Sequence, residues 1–152
     1  MQFTQKETDL LKDLKGQEKL CVDKYARHSS QASDKQLKDL FNQIGGIEQR
    51  HYDTLSQIES GTLPQMGGGE QGQSKPSFNA SYSKEETKEK KNDCYLCTDL
   101  LATEKHVSQL YDTCVFEFKD VNIRSILNHI QKEEQEHGKL IYDYMQTNSM
   151  YS

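Results

Sequence analysis

The feature that most constrains this chain is a pair of Glu-x-x-His motifs 86 residues apart, Glu48-Gln49-Arg50-His51 and Glu134-Gln135-Glu136-His137. The three-residue spacing puts a carboxylate and an imidazole on one helix face, one turn apart. Each motif lies on an apolar stripe of helical period: Ile44, Glu48, His51 and Leu55 in one, Ile130, Glu134, His137 and Ile141 in the other. An ionisable group on a core stripe is costly unless something neutralises it. One such motif alone is an ordinary exposed pair; two on matching core stripes need a common explanation.

The same shift of 86 relates Glu18 to Glu104, Leu14 to Leu100, Lys19 to Lys105, Tyr25 to Tyr111, Asp34 to Asp120 and Ile44 to Ile130. The chain therefore reads as an internal repeat of a two-helix unit. In an antiparallel hairpin, residues equidistant from the turn lie at one height. Glu18 and Glu48 are centred on residue 33, and Glu104 and Glu134 on residue 119, both in expected turns. Glu18, Glu48, His51, Glu104, Glu134 and His137 thus fall on four inward faces. That is the ligand set of a di-iron or di-manganese four-helix bundle. Two divalent cations would cancel the charge of the four carboxylates, which cannot all ionise cheaply so close together. Mixed carboxylate and imidazole ligation suits iron, manganese or zinc.

The expected fold is all-α: a four-helix bundle of two repeated hairpins in one domain over residues 1–152. The first hairpin spans about residues 4–60, a linker about 61–83, and the second hairpin about 84–147. The first helix runs to Ser30, with Leu11, Leu14, Glu18, Cys21, Val22 and Tyr25 inside. The second runs from Lys35 to Glu59, begun by a Ser33–Gln36 capping box or by Asp34, and stopped by Gly61 and Pro64. Gly45-Gly46 is a weak point within it. The linker holds Gly67, Gly68, Gly69, Gly72 and Pro76. A helix of about 25 residues is roughly 38 Å long, and two dozen extended residues can cover that. A long crossover gives up-down-down-up order, as in ferritin-like bundles. The charge run after Ser83 reads as a solvated helical lead-in with a Ser83–Glu86 capping box, with Asn92-Asp93 as a break point. The third helix then reaches Phe118. The fourth spans Val121 to Met145, with Asp120 as N-cap.

Net charge is −5 and no basic patch is evident, so nucleic acid is not an expected partner. No apolar run approaches the roughly 20 residues that span a bilayer, and no membrane partner is expected. The mean hydropathy of −0.94 fits helices that bury one stripe each. Met1 to Lys12 has no apolar core of a secretion signal, which points to the cytoplasm or a compartment reached without secretion. Cys94-x-x-Cys97 is a candidate redox pair or a pair of ordinary thiols; without a second such pair it makes no four-thiolate site. Cys21 and Cys114 fit as core residues. Glu133 and Glu136 lie about 100° or more from the stripe and read as solvated. His28, His106 and His129 fall off the ligand register and read as surface or helix-end residues. Tyr25 and Tyr111 are symmetric candidates for hydrogen-bond donors behind the ligands, for radical-forming neighbours, or for packing.

Asp99-Leu-Leu-Ala-Thr-Glu104-Lys, Leu127-Asn-His-Ile-Gln-Lys-Glu-Glu-Gln-Glu-His137 and the ending Tyr144-Met-Gln-Thr-Asn-Ser-Met-Tyr151 resemble the coat F family of bacterial spore coat proteins over about residues 94–151. The first repeat, about 7–60, is similar but looser. The resemblance implies a ferritin-like bundle in or around the endospore, with other coat proteins or further copies of itself as partners. Ser149 departs from it, since a glycine is usual there, and this bears on where the last helix stops. Similarity to ferritin-like oxidases implies that Glu48 and Glu134 bridge two metals, with Glu18 and His51 completing one ion and Glu104 and His137 the other. Two functions follow as expectations: a structural coat protein, or a di-metal redox enzyme of oxidase, peroxidase, catalase or ferroxidase type.

Overall fold

Thr4, Asp34, Thr87 and Asp120 each start a helix, and for one reason. Each side chain accepts a backbone N–H that the first turn leaves without a partner. The computed structural model describes residues 2–64 and 76–151. Over these it has four helices: α1 (Gln5–Gln31), α2 (Lys35–Glu59), α3 (Lys88–Glu117) and α4 (Val121–Thr147). No strand occurs among the described residues. Gly67, Gly68, Gly69 and Gly72 of the expected linker lie outside them.

The helices pack as the hairpins α1–α2 and α3–α4, and the hairpins meet through α1 against α3 and α2 against α4. Cross-hairpin contacts give the directions. Tyr111 meets Glu18 and Tyr25 meets Glu104, so α1 and α3 are antiparallel. His51 meets Glu134 and Tyr144 meets Asp34, so α2 and α4 are antiparallel too. The order is therefore up-down-down-up. Leu14, Cys21, Tyr25, Leu37, Phe41, Ile44, Leu55 and Ile58 of the first hairpin share one buried core with Leu100, Val107, Tyr111, Cys114, Ile123, Leu127, Ile141 and Tyr144 of the second. Burial of each large apolar side chain contributes roughly 1.5–3 kcal/mol.

Four local expectations change. Gly45-Gly46 does not weaken α2, which runs straight through. A Cβ at Gly45 would stand 3.3 Å from the Cβ of Tyr25, so the missing side chain gives α1 and α2 a close approach there. Asn92-Asp93 does not break α3. The Ser83–Glu86 capping box does not form; Ser83 accepts from the Glu85 N–H, and the helix waits for Thr87. The charge run is not wholly solvated, because Lys90 is buried and pairs with Glu86 at 2.9 Å.

The two C-terminal stops are alike. After α2, the Thr62 N–H reaches the Gln57 carbonyl and the Gly61 N–H that of Ile58, with Gly61 at φ +89°. After α4, the Met150 N–H reaches Met145 and the Ser149 N–H reaches Gln146, with Ser149 at φ +57°. Both are Schellman turns, which need one left-handed residue. Ser149 holds the left-handed position without being glycine.

Candidate metal centre

All six ligand candidates of the sequence are brought together at mid-height of the bundle, each 0–3 % exposed. Glu18 comes from α1, Glu48 and His51 from α2, Glu104 from α3, and Glu134 and His137 from α4. Their donor atoms form two overlapping groups, one of Glu18, Glu48, His51 and Glu134, the other of Glu48, Glu104, Glu134 and His137. Within each group the atoms lie within 4.8 Å of one another. Glu48 and Glu134 belong to both. These buried groups could hold a metal ion.

The contacts repeat across the pseudo-twofold. His51 Nδ1 stands 2.9 Å from Glu134 and 3.5 Å from Glu18. His137 Nδ1 stands 2.7 Å from Glu48 and 3.5 Å from Glu104. The rings lie 6.0 Å apart with 24° between their planes. Many of these atoms are close without being bonded. Glu18 Oε1, both oxygens of Glu48, Glu104 Oε2, Glu134 Oε2 and both ring nitrogens of His137 are buried without a hydrogen-bond partner. His137 Nδ1 and Glu48 Oε1 illustrate this: they approach closely but at an angle that makes no hydrogen bond. Buried polar atoms are nearly always satisfied. A set that converges without pairing is what ligand atoms aimed at a shared cation look like.

Without a cation, the cluster manages its charge with protons. Burial, then the neighbouring Glu48, pushes the Glu18 carboxyl up. Burial and the charge of Glu104 push Glu134 well above the carboxylate range. Burial also acts on Glu48, but Glu18, His137 and His51 outweigh it and hold Glu48 well below that range. Burial opposes a charged imidazole, yet Glu133, Glu134, Glu18 and Glu48 hold His51 well above its usual range. Glu104 and Glu48 likewise take His137 up to about 9 against burial. Like charges confined together split in this way, some keeping protons so that others ionise.

Tyr25 and Tyr111 are more than packing. Tyr25 Oη donates to Glu104 Oε1 at 2.6 Å, and Tyr111 Oη donates to Glu18 Oε2 at 2.6 Å. Burial and the adjacent carboxylates hold both phenols far above their usual range, so both remain donors. Each serves a glutamate of the other hairpin, not the one on its own helix.

Glu133 corrects the expectation of a solvated residue. It is half-buried and its Oε1 stands 2.8 Å from His51 Nε2. Position 47, its counterpart in the first repeat, is Ile, so self-similarity gave no signal for it. Glu136 is exposed as expected. His28 closes α1 and pairs with Asp99 at 2.8 Å; His106 is exposed; His129 lies 3.5 Å from Glu133. All four cysteines are free thiols. Burial and Asp93 push the Cys97 thiol up, away from the thiolate that redox exchange needs. Cys21 and Cys114 are core residues.

Residues 92–152 match the Coat F domain. The matched stretch is less than half of the chain and lies in its second hairpin. The match takes in nearly all of α3, α4 and the Schellman turn, and hence Glu104, Glu134 and His137. The Coat F domain supports a spore coat protein. Among curated proteins and among solved structures, none matches this chain. No described helix is long and apolar enough to cross a membrane.

Proposed function

We propose that this Coat F protein is a structural component of the spore coat, built on a ferritin-like bundle that two divalent cations hold together. Glu48 and Glu134, which belong to both donor groups, would be shared by the two ions; Glu18 and His51 would complete one, Glu104 and His137 the other. The observation that carries this is the set of buried, converging, unpartnered donor atoms. Four carboxylates and two imidazoles offer the charge and donor types that iron or manganese accepts, and zinc also. The protons that the cluster holds are those a bound cation would displace. The ligands come from all four helices, so the ions would join the hairpins at mid-height. Tyr95, Phe116 and Val121 are 69 %, 84 % and 64 % exposed and offer apolar contacts for assembly with other coat proteins or further copies.

A second reading, a di-metal redox enzyme, is favoured by the two phenols at 2.6 Å from ligand carboxylates. Bound iron or manganese would supply redox and Lewis-acid chemistry there. In either case the tyrosines hold Glu104 and Glu18 in place, and the closed packing limits solvent.

Metal analysis of the purified full chain, paired with a peroxide-consumption assay, tests both readings. About two ions per chain without turnover supports the structural role. Two ions with turnover supports the enzyme. Absence of iron, manganese and zinc after reconstitution refutes the cation site.

A further inference from the structure

The two halves of the cluster differ in what stands behind their histidines. On one side, His51 Nε2 stands 2.8 Å from Glu133 Oε1, and Nδ1 is left facing Glu134, Glu18 and Glu48. On the other side, the repeat puts Ile47 where Glu133 would be. Ile47 is buried, and His137 Nε2 is buried with no partner. The internal symmetry that pairs His51 with His137, Glu48 with Glu134 and Tyr25 with Tyr111 fails here.

Resting on the two-cation reading above, the geometry points to two unequal positions: the one completed by Glu18 and His51 takes its ion first, and Glu133 is the positioning residue that makes it so. A ligating histidine that donates its other N–H to a carboxylate is fixed in tautomer and orientation and is a more basic ligand. Glu133 does this for His51; no described residue does it for His137. Glu133 is also a fifth carboxylate for the cluster, and it stands on that side. Its side chain is 16 % exposed and lies 3.5 Å from His129, so it reaches solvent while the ligands do not. Outer partners of this kind typically change metal affinity by about 10–100-fold.

The test is calorimetric titration of Mn²⁺ into the metal-free full chain. Wild type should show two steps separated by about 10–100-fold. Glu133→Ile makes the His51 side a copy of the His137 side; the tighter step should weaken until the two merge. Glu133→Gln, which keeps a hydrogen-bonding amide but removes the charge, should fall between them and guards against a folding defect in the Ile variant. A second readout needs no metal: ¹⁵N resonances of the histidine rings should show a hydrogen-bonded Nε2–H at His51 but not at His137, and Glu133→Ile should abolish the difference. Two equal steps in wild type, or a separation that survives Glu133→Ile, overturns this inference and leaves the two-cation reading standing. No binding of Mn²⁺ or Zn²⁺ overturns both. Unequal histidines in the metal-free protein without binding would trace that failure to the cation reading.

Discussion

Asp93 holds the turn of the hairpin to which it does not belong: its Oδ2 accepts the backbone N–H of Asp34 at 3.0 Å, while Oδ1 accepts that of Ser33 at 2.8 Å. Tyr82, on the incoming linker, donates to the same carboxylate at 2.7 Å. Glu7 stands 86 residues earlier and does the matching work at the other end of the bundle, where Oε2 accepts the Lys119 N–H of the α3–α4 turn at 3.1 Å. Each hairpin is thus pinned by an acid from its partner.

Asp93→Ala removes the acceptor for two backbone N–H groups and one phenol. With about 1–3 kcal/mol lost for a buried group left unsatisfied, denaturant unfolding should show a loss on the order of 3 kcal/mol. Hydrogen exchange should quicken at the Ser33 and Asp34 amides. Unchanged exchange there would show that the turn does not depend on Asp93.

Glu7 should make stability depend on acid. Burial raises its carboxyl pKa, but the N–H groups of Thr4 and Lys119 outweigh this and leave it below its ordinary 4.5. A depressed folded pKa means that the contribution is fully present above the unfolded value and lost as pH falls through the folded one. The stability gap between wild type and Glu7→Gln should therefore be constant above about pH 5 and shrink below 4.5. A gap that widens with acid would contradict the assignment.

Tyr25→Phe and Tyr111→Phe each strip a donor from a buried carboxylate and should each lose about 1–3 kcal/mol. At roughly 2–4 °C per kcal/mol for a domain of this size, the fall in melting temperature is easily measured. The repeat predicts similar losses. If neither variant melts lower, the phenols only fill space.

Ser149→Gly should stabilise the chain. A non-glycine residue in the left-handed region costs about 1–2 kcal/mol, and the added freedom of glycine in the unfolded chain returns roughly 0.4–1 of that. The net expectation is a gain of about 0.5–1 kcal/mol in chemical denaturation, with the Met150–Met145 bond retained. A destabilised variant would mean that Ser149 makes a compensating interaction.

Chelation should lower the melting temperature of metal-loaded protein. A ligand at a hundred times its Kd adds about 2.7 kcal/mol to the folded state, so removing either ion should be visible in a thermal scan. Glu48→Gln and Glu134→Gln should lose metal and become insensitive to chelator. Identical melting with and without chelator would argue that no cation joins the hairpins.

The six ligand candidates and both hairpin turns were legible in the chain because they depend on local periodicity and on a duplication, and both are linear properties. Helical spacing fixes which residues share a face, and distance from a turn fixes their height. The sequence likewise determined Asp120 as a helix start and narrowed the other to Asp34 or a Ser33–Gln36 box, since a cap is made within one turn of chain; the structure has Asp34.

Contacts across the bundle were decided only by tertiary structure. The phenols of Tyr25 and Tyr111 pass over their own helices to Glu104 and Glu18, because α1 and α3 run antiparallel and each phenol has that reach. Glu133 leaves its expected solvated face for His51, a partner 82 positions away. Asp93, which looked like a break point, became a clasp because its acceptors found the turn N–H groups of another hairpin. Backbone pattern sets where a side chain starts; the packing of four helices sets what its far end can touch.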